Sequence, residues 1–158
     1  MIRAIVAIDE KRGIANDQTI PWLGKIPSDT AYYRDKVRGG IVIMGYRLYQ
    51  EISGPYPESD NYVATSNAEV QLRPGFTAVT DVRNFMMSAT EDVWNLGGAV
   101  LYQSTLDLAE ELYITQLEGD FSCTKFFPEY KDNYQMVSES APITENGITF
   151  SFQVWRKI

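Results

Sequence analysis

Asp29 stands seven residues after the dipeptide Pro21-Trp22, in the run Pro21-Trp22-Leu23-Gly24-Lys25-Ile26-Pro27-Ser28-Asp29-Thr30-Ala31-Tyr32-Tyr33. The chain has no histidine, so any proton transfer falls to a carboxylate, a tyrosine, a lysine or bound water. The segment predicts a helix that Ser28 can cap, with Asp29 in its first turn and Tyr33 four residues on along the same face. Two effects then oppose each other at Asp29. The helix dipole favours the charged form by about 0.3–1 kcal/mol, whereas burial among Trp22, Ile5 and Tyr33 would favour the neutral one. Taken by itself, an acid in a first helical turn reads more readily as a simple dipole-complementing charge, since such acids are common.

Three further groups could do chemistry. Gly97-Gly98 follows the apolar run Val93-Trp94-Asn95-Leu96 and precedes a helix-compatible stretch. Glycine lets the backbone approach an anion there, although the same pair also makes an ordinary tight turn. Met44-Gly45 makes a second strand-to-helix turn, and Thr65-Ser66 supplies hydroxyls after another strand. Thr115 is a hydroxyl inside the apolar run Leu112-Tyr113-Ile114-Thr115-Gln116-Leu117. If buried it needs a partner, and a carboxylate across the sheet would be one.

The elements that must hold these groups follow from hydrophobic patterning. Strands are expected at Ile2–Ile8, Gly40–Met44, Tyr62–Thr65, Phe76–Val79, Val93–Leu96 and Leu112–Leu117, and helices at Asp29–Val37, Tyr46–Glu51, Val82–Ser88 and Ala99–Ser104. Strands alternating with single helices imply βαβ units and a largely parallel sheet. Tyr134–Ala141 and Ile148–Arg156, joined by a turn over Pro142–Gly147, read as an antiparallel pair at the end. The expected fold is therefore α/β: one domain over residues 1–158, with a mixed, mostly parallel eight-stranded sheet, an antiparallel C-terminal strand and about four flanking helices.

Bulk composition narrows the function. Fourteen basic against 21 acidic residues give a net charge of −7, and no basic cluster offers a phosphate-backbone footprint, which argues against nucleic acid as a partner. The single cysteine, Cys123, and the absence of histidine remove the usual disulfide and transition-metal chemistry, so no metal site is expected. The apolar start is too short for a signal peptide, and no long apolar run suggests a membrane span. A cytoplasmic monomer is the simplest expectation.

In order along the chain, these pieces resemble the dihydrofolate reductase family. The matching residues are Val6-Ala7, Ile14 to Pro21-Trp22 as an active-site loop, Pro27 to Tyr33 with its acid, and Val42-Ile43-Met44-Gly45. Asn61 to Ser66, Leu96-Gly97-Gly98 with Tyr102, Leu112 to Thr115, and Phe126-Phe127-Pro128-Glu129-Tyr130 complete the set. The resemblance implies NADPH-dependent reduction of 7,8-dihydrofolate to 5,6,7,8-tetrahydrofolate, an oxidoreductase of one-carbon metabolism. It implies Asp29, Trp22 and Thr115 as the catalytic set, with Asp29 binding the pterin's 2-amino and N3 groups and supporting protonation at N5. Ile5, Val6, Ala7, Thr30, Tyr33, Arg34, Ile52, Leu96 and Tyr102 would contact substrate. Ala7, Ile14, Ile20, Gly45, Tyr46, Arg47, Leu48, Thr65, Ser66, Gly97, Gly98, Ala99, Val100, Leu101 and Tyr102 would contact NADPH, the Gly-Gly bond being cis in such proteins.

The chain departs from the family pattern at the far ends of both ligands. Ser59 occupies the place of an arginine that grips the folate carboxylate, and Arg34 is the expected substitute. Tyr46 and Val100 stand where basic residues are usual, while Cys123-Thr124 or the nearby Gly119-Asp120 would support the loop. Two other readings are a pyrimidine reductase of riboflavin synthesis and a non-catalytic folate-binding paralogue.

Overall fold

Apolar, mostly β-branched residues from Ile2 to Ile8 form the strand on which the sheet is built. In the computed structural model, which describes residues 1–158, this strand is β1 (Ile2–Ile8). After it come β2 (Gly13–Ala15), α1 (Pro27–Val37), β3 (Ile41–Gly45), α2 (Tyr46–Glu51), β4 (Asp60–Ala64) and β5 (Phe76–Val79). Next are α3 (Val82–Ser88), β6 (Val93–Asn95), α4 (Ala99–Thr105), a 3₁₀ turn at Leu106–Leu108 and β7 (Glu111–Leu117). The chain ends with β8 (Lys125–Phe126), β9 (Tyr134–Glu139), β10 (Ile143–Glu145) and β11 (Ile148–Lys157). Each helix begins or ends within two residues of its expected bounds.

The main sheet runs β10-β11-β7-β1-β6-β3-β4-β5, with β9 as a ninth strand paired to β11. From β7 through β5 all neighbours are parallel, and β11 lies antiparallel to β7, β9 and β10. Side chains alternate across the sheet. Ile5, Val42, Met44 and Val63 pack on one face beneath α1 and α2, through Val37 and Tyr49. On the other face Ile41 and Ile43 pack with Met86 of α3 and Leu101 of α4, and Ala4 and Val6 with Tyr102 of α4. The carboxyl ends of β1, β3, β4, β6 and β7 consequently share one edge, where open α/β sheets bind ligands.

The C-terminal end differs from expectation in detail. The segment Pro142–Gly147 is not all turn, because Ile143–Glu145 forms β10 and pairs with Ile148–Phe150. Only Asn146 (φ 50°) and Gly147 (φ 76°) turn the chain. Both angles are positive, the geometry of a two-residue type I′ hairpin, which Asn-Gly favours. Strands β2 and β8, which pair in a small separate sheet, are too short to leave a periodic signal.

Candidate active site

Thr115 sits near the end of β7, opposite Ala7 of β1 and Phe152 of β11. Its side chain is buried, and its hydroxyl donates to Oδ1 of Asp29 at 2.6 Å. The partner that a buried strand hydroxyl requires is therefore the carboxylate at the mouth of α1. Asp29 itself is half-buried. Its pKa lies above the ordinary carboxylate range, chiefly because burial penalises the charge; the Thr115 hydrogen bond opposes that effect and the nearby Glu145 carboxylate adds to it. With Oδ1 held by Thr115, the carboxyl can still pair with two adjacent N–H donors of a flat heterocycle, or hold a proton at a pH where an exposed aspartate is ionised.

Ser28 does not cap α1. The N-cap position is Ile26, Pro27 opens the helix, and no side chain of the segment caps it. Proline suits the first helical position because its missing N–H would be unpaired there anyway. Ser28 instead donates its N–H (2.9 Å) and its hydroxyl (2.7 Å) to the carboxylate of Glu145. Trp22 is buried with Ile26, Leu117 and Phe150, beside the partly buried Ala7 and Ile20, and its ring meets Phe121 edge-on at 5.3 Å.

Thr30, Tyr33, Arg34 and Ile52 line one open cleft of about 430 Å³ between α1 and the loop after α2. Tyr56, which carried no sequence signal, completes this wall, its ring 5.8 Å from that of Tyr33. Burial raises the pKa of both phenols, so both stay neutral and serve as an aromatic lining. Ile5 and Leu96 belong to the apolar cluster on which Tyr33 and Ile52 pack. Val6 does not join them, because alternation sends its side chain to the opposite face. Ser59 donates to the Val37 carbonyl at the end of α1 (2.9 Å), and Arg34 is the cation in the cleft wall.

The two glycine turns come together. The N–H of Gly45 donates to the Gly97 carbonyl at 2.7 Å, Asn95 accepts from the Gly97 N–H at 3.0 Å, and the Gly97-Gly98 bond is cis. Gly97 is obligatory on two grounds: its φ is +80°, and a Cβ there would run into the ring of Tyr102. At Gly98 a Cβ would meet nothing within 4 Å, leaving open space over the start of α4, whose first N–H groups have no partner within the helix. A glycine cradle beside free backbone donors fits the phosphates of a dinucleotide. Tyr102 is buried and donates to the Ile5 carbonyl at 2.6 Å, tying this turn to β1.

The remaining expected cofactor contacts are scattered. Tyr46 is exposed and stacked on Tyr49, Leu48 of α2 is half-buried against the cluster of Ile5, Val42 and Tyr49, and Ala99 packs on the core beside Tyr102. Val100 is 84% exposed and Leu101 turns into the core with Ile43 and Met86. Ile14 is buried in β2. The Thr65 hydroxyl accepts from the Asn67 N–H, and Ser66 is exposed. Arg47 donates to the Asp17 carbonyl (2.6 Å) and pairs with Glu51 (3.5 Å), so it ties the Ile14–Trp22 loop to α2. On the other side of that loop, Thr124 donates its N–H to the Ala15 carbonyl (2.9 Å) and its hydroxyl to Asp17 (3.1 Å). Thr124 is thus the loop support, whereas Asp120 pairs with Lys11 and holds the Ser122 N–H.

The comparisons with known proteins agree with this geometry. The dihydrofolate reductase family model matches residues 1–157. A dihydrofolate reductase of Bacillus subtilis is 30% identical over 162 residues, covering 99% of this chain and 95% of the relative. One of Staphylococcus haemolyticus is 29% identical, covering 99% and 96%. A solved dihydrofolate reductase from Enterococcus faecalis, described as complexed with NADP(H) and RAB-propyl, superposes with a TM-score of 0.88 at 22% identity, over 99% of this chain and 96% of that one. With the match spanning the whole chain, and with the acid, the cleft and the paired glycine turns on one edge of the sheet, the chain belongs to the dihydrofolate reductase family.

Proposed function

We propose that the protein reduces 7,8-dihydrofolate to 5,6,7,8-tetrahydrofolate with NADPH, and that Asp29 is its one proton-handling side chain. The observation that carries this reading is the Asp29–Thr115 pair: a carboxyl with a raised pKa, fixed by a buried hydroxyl, directly before Thr30, which lines a cleft with an aromatic wall. NADPH, when bound, supplies a hydride to the pterin.

The rest of the work belongs to the protein. Asp29 pairs with the 2-amino and N3 groups and so fixes the pterin's orientation. With its pKa raised above the ordinary carboxylate range by burial, it supports proton delivery toward N5, where negative charge would otherwise build up. Trp22 closes the inner wall and limits water. Thr115 holds the carboxyl in one orientation, and Thr30, Tyr33, Ile52 and Tyr56 receive the aromatic body of the substrate. Arg34, in the cleft wall, takes the carboxylate of the glutamate tail. Gly45, Gly97 and Gly98 with the start of α4 cradle the cofactor phosphates. No helix is long and apolar enough to cross a membrane, and a cytoplasmic monomer is the setting we assign.

The test is NADPH oxidation with and without dihydrofolate, in the wild type and in Asp29→Asn. Dihydrofolate-dependent turnover that falls by about 10²-fold or more in the variant, with NADPH affinity retained, supports the reading. Absence of turnover in the wild type would replace it with a binding role.

A further inference from the structure

Glu145 lies at the tip of the β10–β11 hairpin, 117 residues from the helix it touches. Its Oε1 accepts the Ser28 N–H and its Oε2 the Ser28 hydroxyl, at 2.9 and 2.7 Å. The next residue, Asn146, donates its side-chain amide to the Lys25 carbonyl at 2.7 Å. Two consecutive hairpin residues therefore grip the segment between Trp22 and Asp29. Because α1 lacks a side-chain cap of its own, Glu145 performs that task from a distance, and a carboxylate suits the positive end of a helix.

The same contact fixes a second negative charge on Ser28, the residue directly before Asp29. Neither Glu145 nor Asp29 takes part in an ion pair. The titratable groups around Asp29 are Glu145 from β10 and the neutral phenols of Tyr32 and Tyr33 from α1. From β7 it meets the uncharged Thr115 hydroxyl.

We propose that Glu145 is a positioning residue for Asp29, clamping the first turn of α1 through Ser28 while supplying the second negative charge of the site. The proposal rests on the reading of Asp29 given above. Its physical basis is that a neighbouring carboxylate without a counter-ion makes the Asp29 carboxyl costlier to ionise. Burial is the larger cause of the raised Asp29 pKa, and the Glu145 charge acts in the same direction. Glu145 thereby helps Asp29 keep a proton at a pH where an exposed aspartate has lost it.

Glu145→Gln separates charge from geometry, because its carbonyl still accepts the Ser28 N–H and its amide can donate to the Ser28 hydroxyl. Two readouts are needed: the pH dependence of hydride transfer to dihydrofolate, and the ¹³C NMR titration of the Asp29 carboxyl, which needs no turnover. In Glu145→Gln both midpoints move to lower pH while thermal unfolding stays cooperative. In Ser28→Ala, which keeps the charge, the midpoints stay and the KM for dihydrofolate rises. An unchanged midpoint in Glu145→Gln, or an equal shift in Ser28→Ala, would overturn the proposal. A wild type that titrates as expected but does not turn over dihydrofolate would refute the catalytic reading and leave the Glu145–Asp29 coupling standing.

Discussion

The Thr115 hydroxyl, buried at the end of a central strand, donates to the Asp29 carboxylate at 2.6 Å across 86 residues of sequence. This bond favours the ionised form of Asp29, against burial and against Glu145, which favour the neutral one. Thr115→Val removes only the favourable partner. The Asp29 midpoint then rises further, moving the alkaline limb of the rate profile to higher pH, opposite to the Glu145→Gln shift. Stability falls by about 1–3 kcal/mol, the typical effect of leaving a buried polar group unpartnered. A pH–rate profile and a urea titration measure both effects.

Asp29 also works against the stability of the fold. Its folded pKa is above its unfolded value, so the folded state binds more protons between the two and stability falls as pH rises through that window. Asp29→Asn keeps an acceptor for Thr115 and removes the charge. Its Tm should exceed that of the wild type at neutral and mildly alkaline pH, with the gap closing in acid. Calorimetry across pH checks this, and equal pH dependence in the two proteins would contradict it.

Gly97 has no room for a side chain. Gly97→Ala sets a Cβ against the Tyr102 ring at a φ of +80°, which disturbs the Tyr102 bond to the Ile5 carbonyl and the Gly45–Gly97 bridge. A loss of at least about 2 kcal/mol in stability is expected from the backbone conformation and the overpacking together. NADPH affinity should fall with it, measurable by fluorescence titration. Gly98→Ala meets no atom and should be far milder for folding.

Arg34 lines the outer cleft while Ser59 is spent on the Val37 carbonyl. Arg34→Ala should raise the KM for dihydrofolate about tenfold or more, as expected for losing a charge-assisted hydrogen bond of about 1.5–3 kcal/mol. A pterin substrate without the glutamate tail should be unaffected. Equal effects on both substrates would show that Arg34 does not read the tail.

The parts of the site legible in the sequence were those whose chemistry is local. Gly97-Gly98 and Met44-Gly45 announce backbone turns because glycine is chemically distinct, and Thr115 stands out as a hydroxyl in an apolar strand. The acid before Tyr32-Tyr33 could be placed in a first helical turn, although through Ser28 as the expected cap and not through Pro27, which opens the helix. What stayed hidden depends on register between distant segments. Glu145 sits in a three-residue strand with no periodic signal, and its contact with Ser28 requires the β10–β11 hairpin to fold over α1. Ser28 looked like a cap because serine caps many helices, but Pro27 had already opened this one. Arg47 and Thr124 likewise showed their hold on the Ile14–Trp22 loop only once α2 and the segment before β8 were placed on either side of it.

The central claim is that Asp29 is the proton-handling group of hydride transfer, and single-turnover kinetics tests it most directly. Wild-type protein loaded with NADPH is mixed with saturating dihydrofolate across a range of pH, beside Asp29→Asn. The wild type should show a rate that falls as pH rises through a midpoint above the ordinary aspartate value, whereas Asp29→Asn should be slower by about 10²-fold or more and lose that midpoint. A variant that transfers hydride at the wild-type rate with the same pH profile would contradict the account.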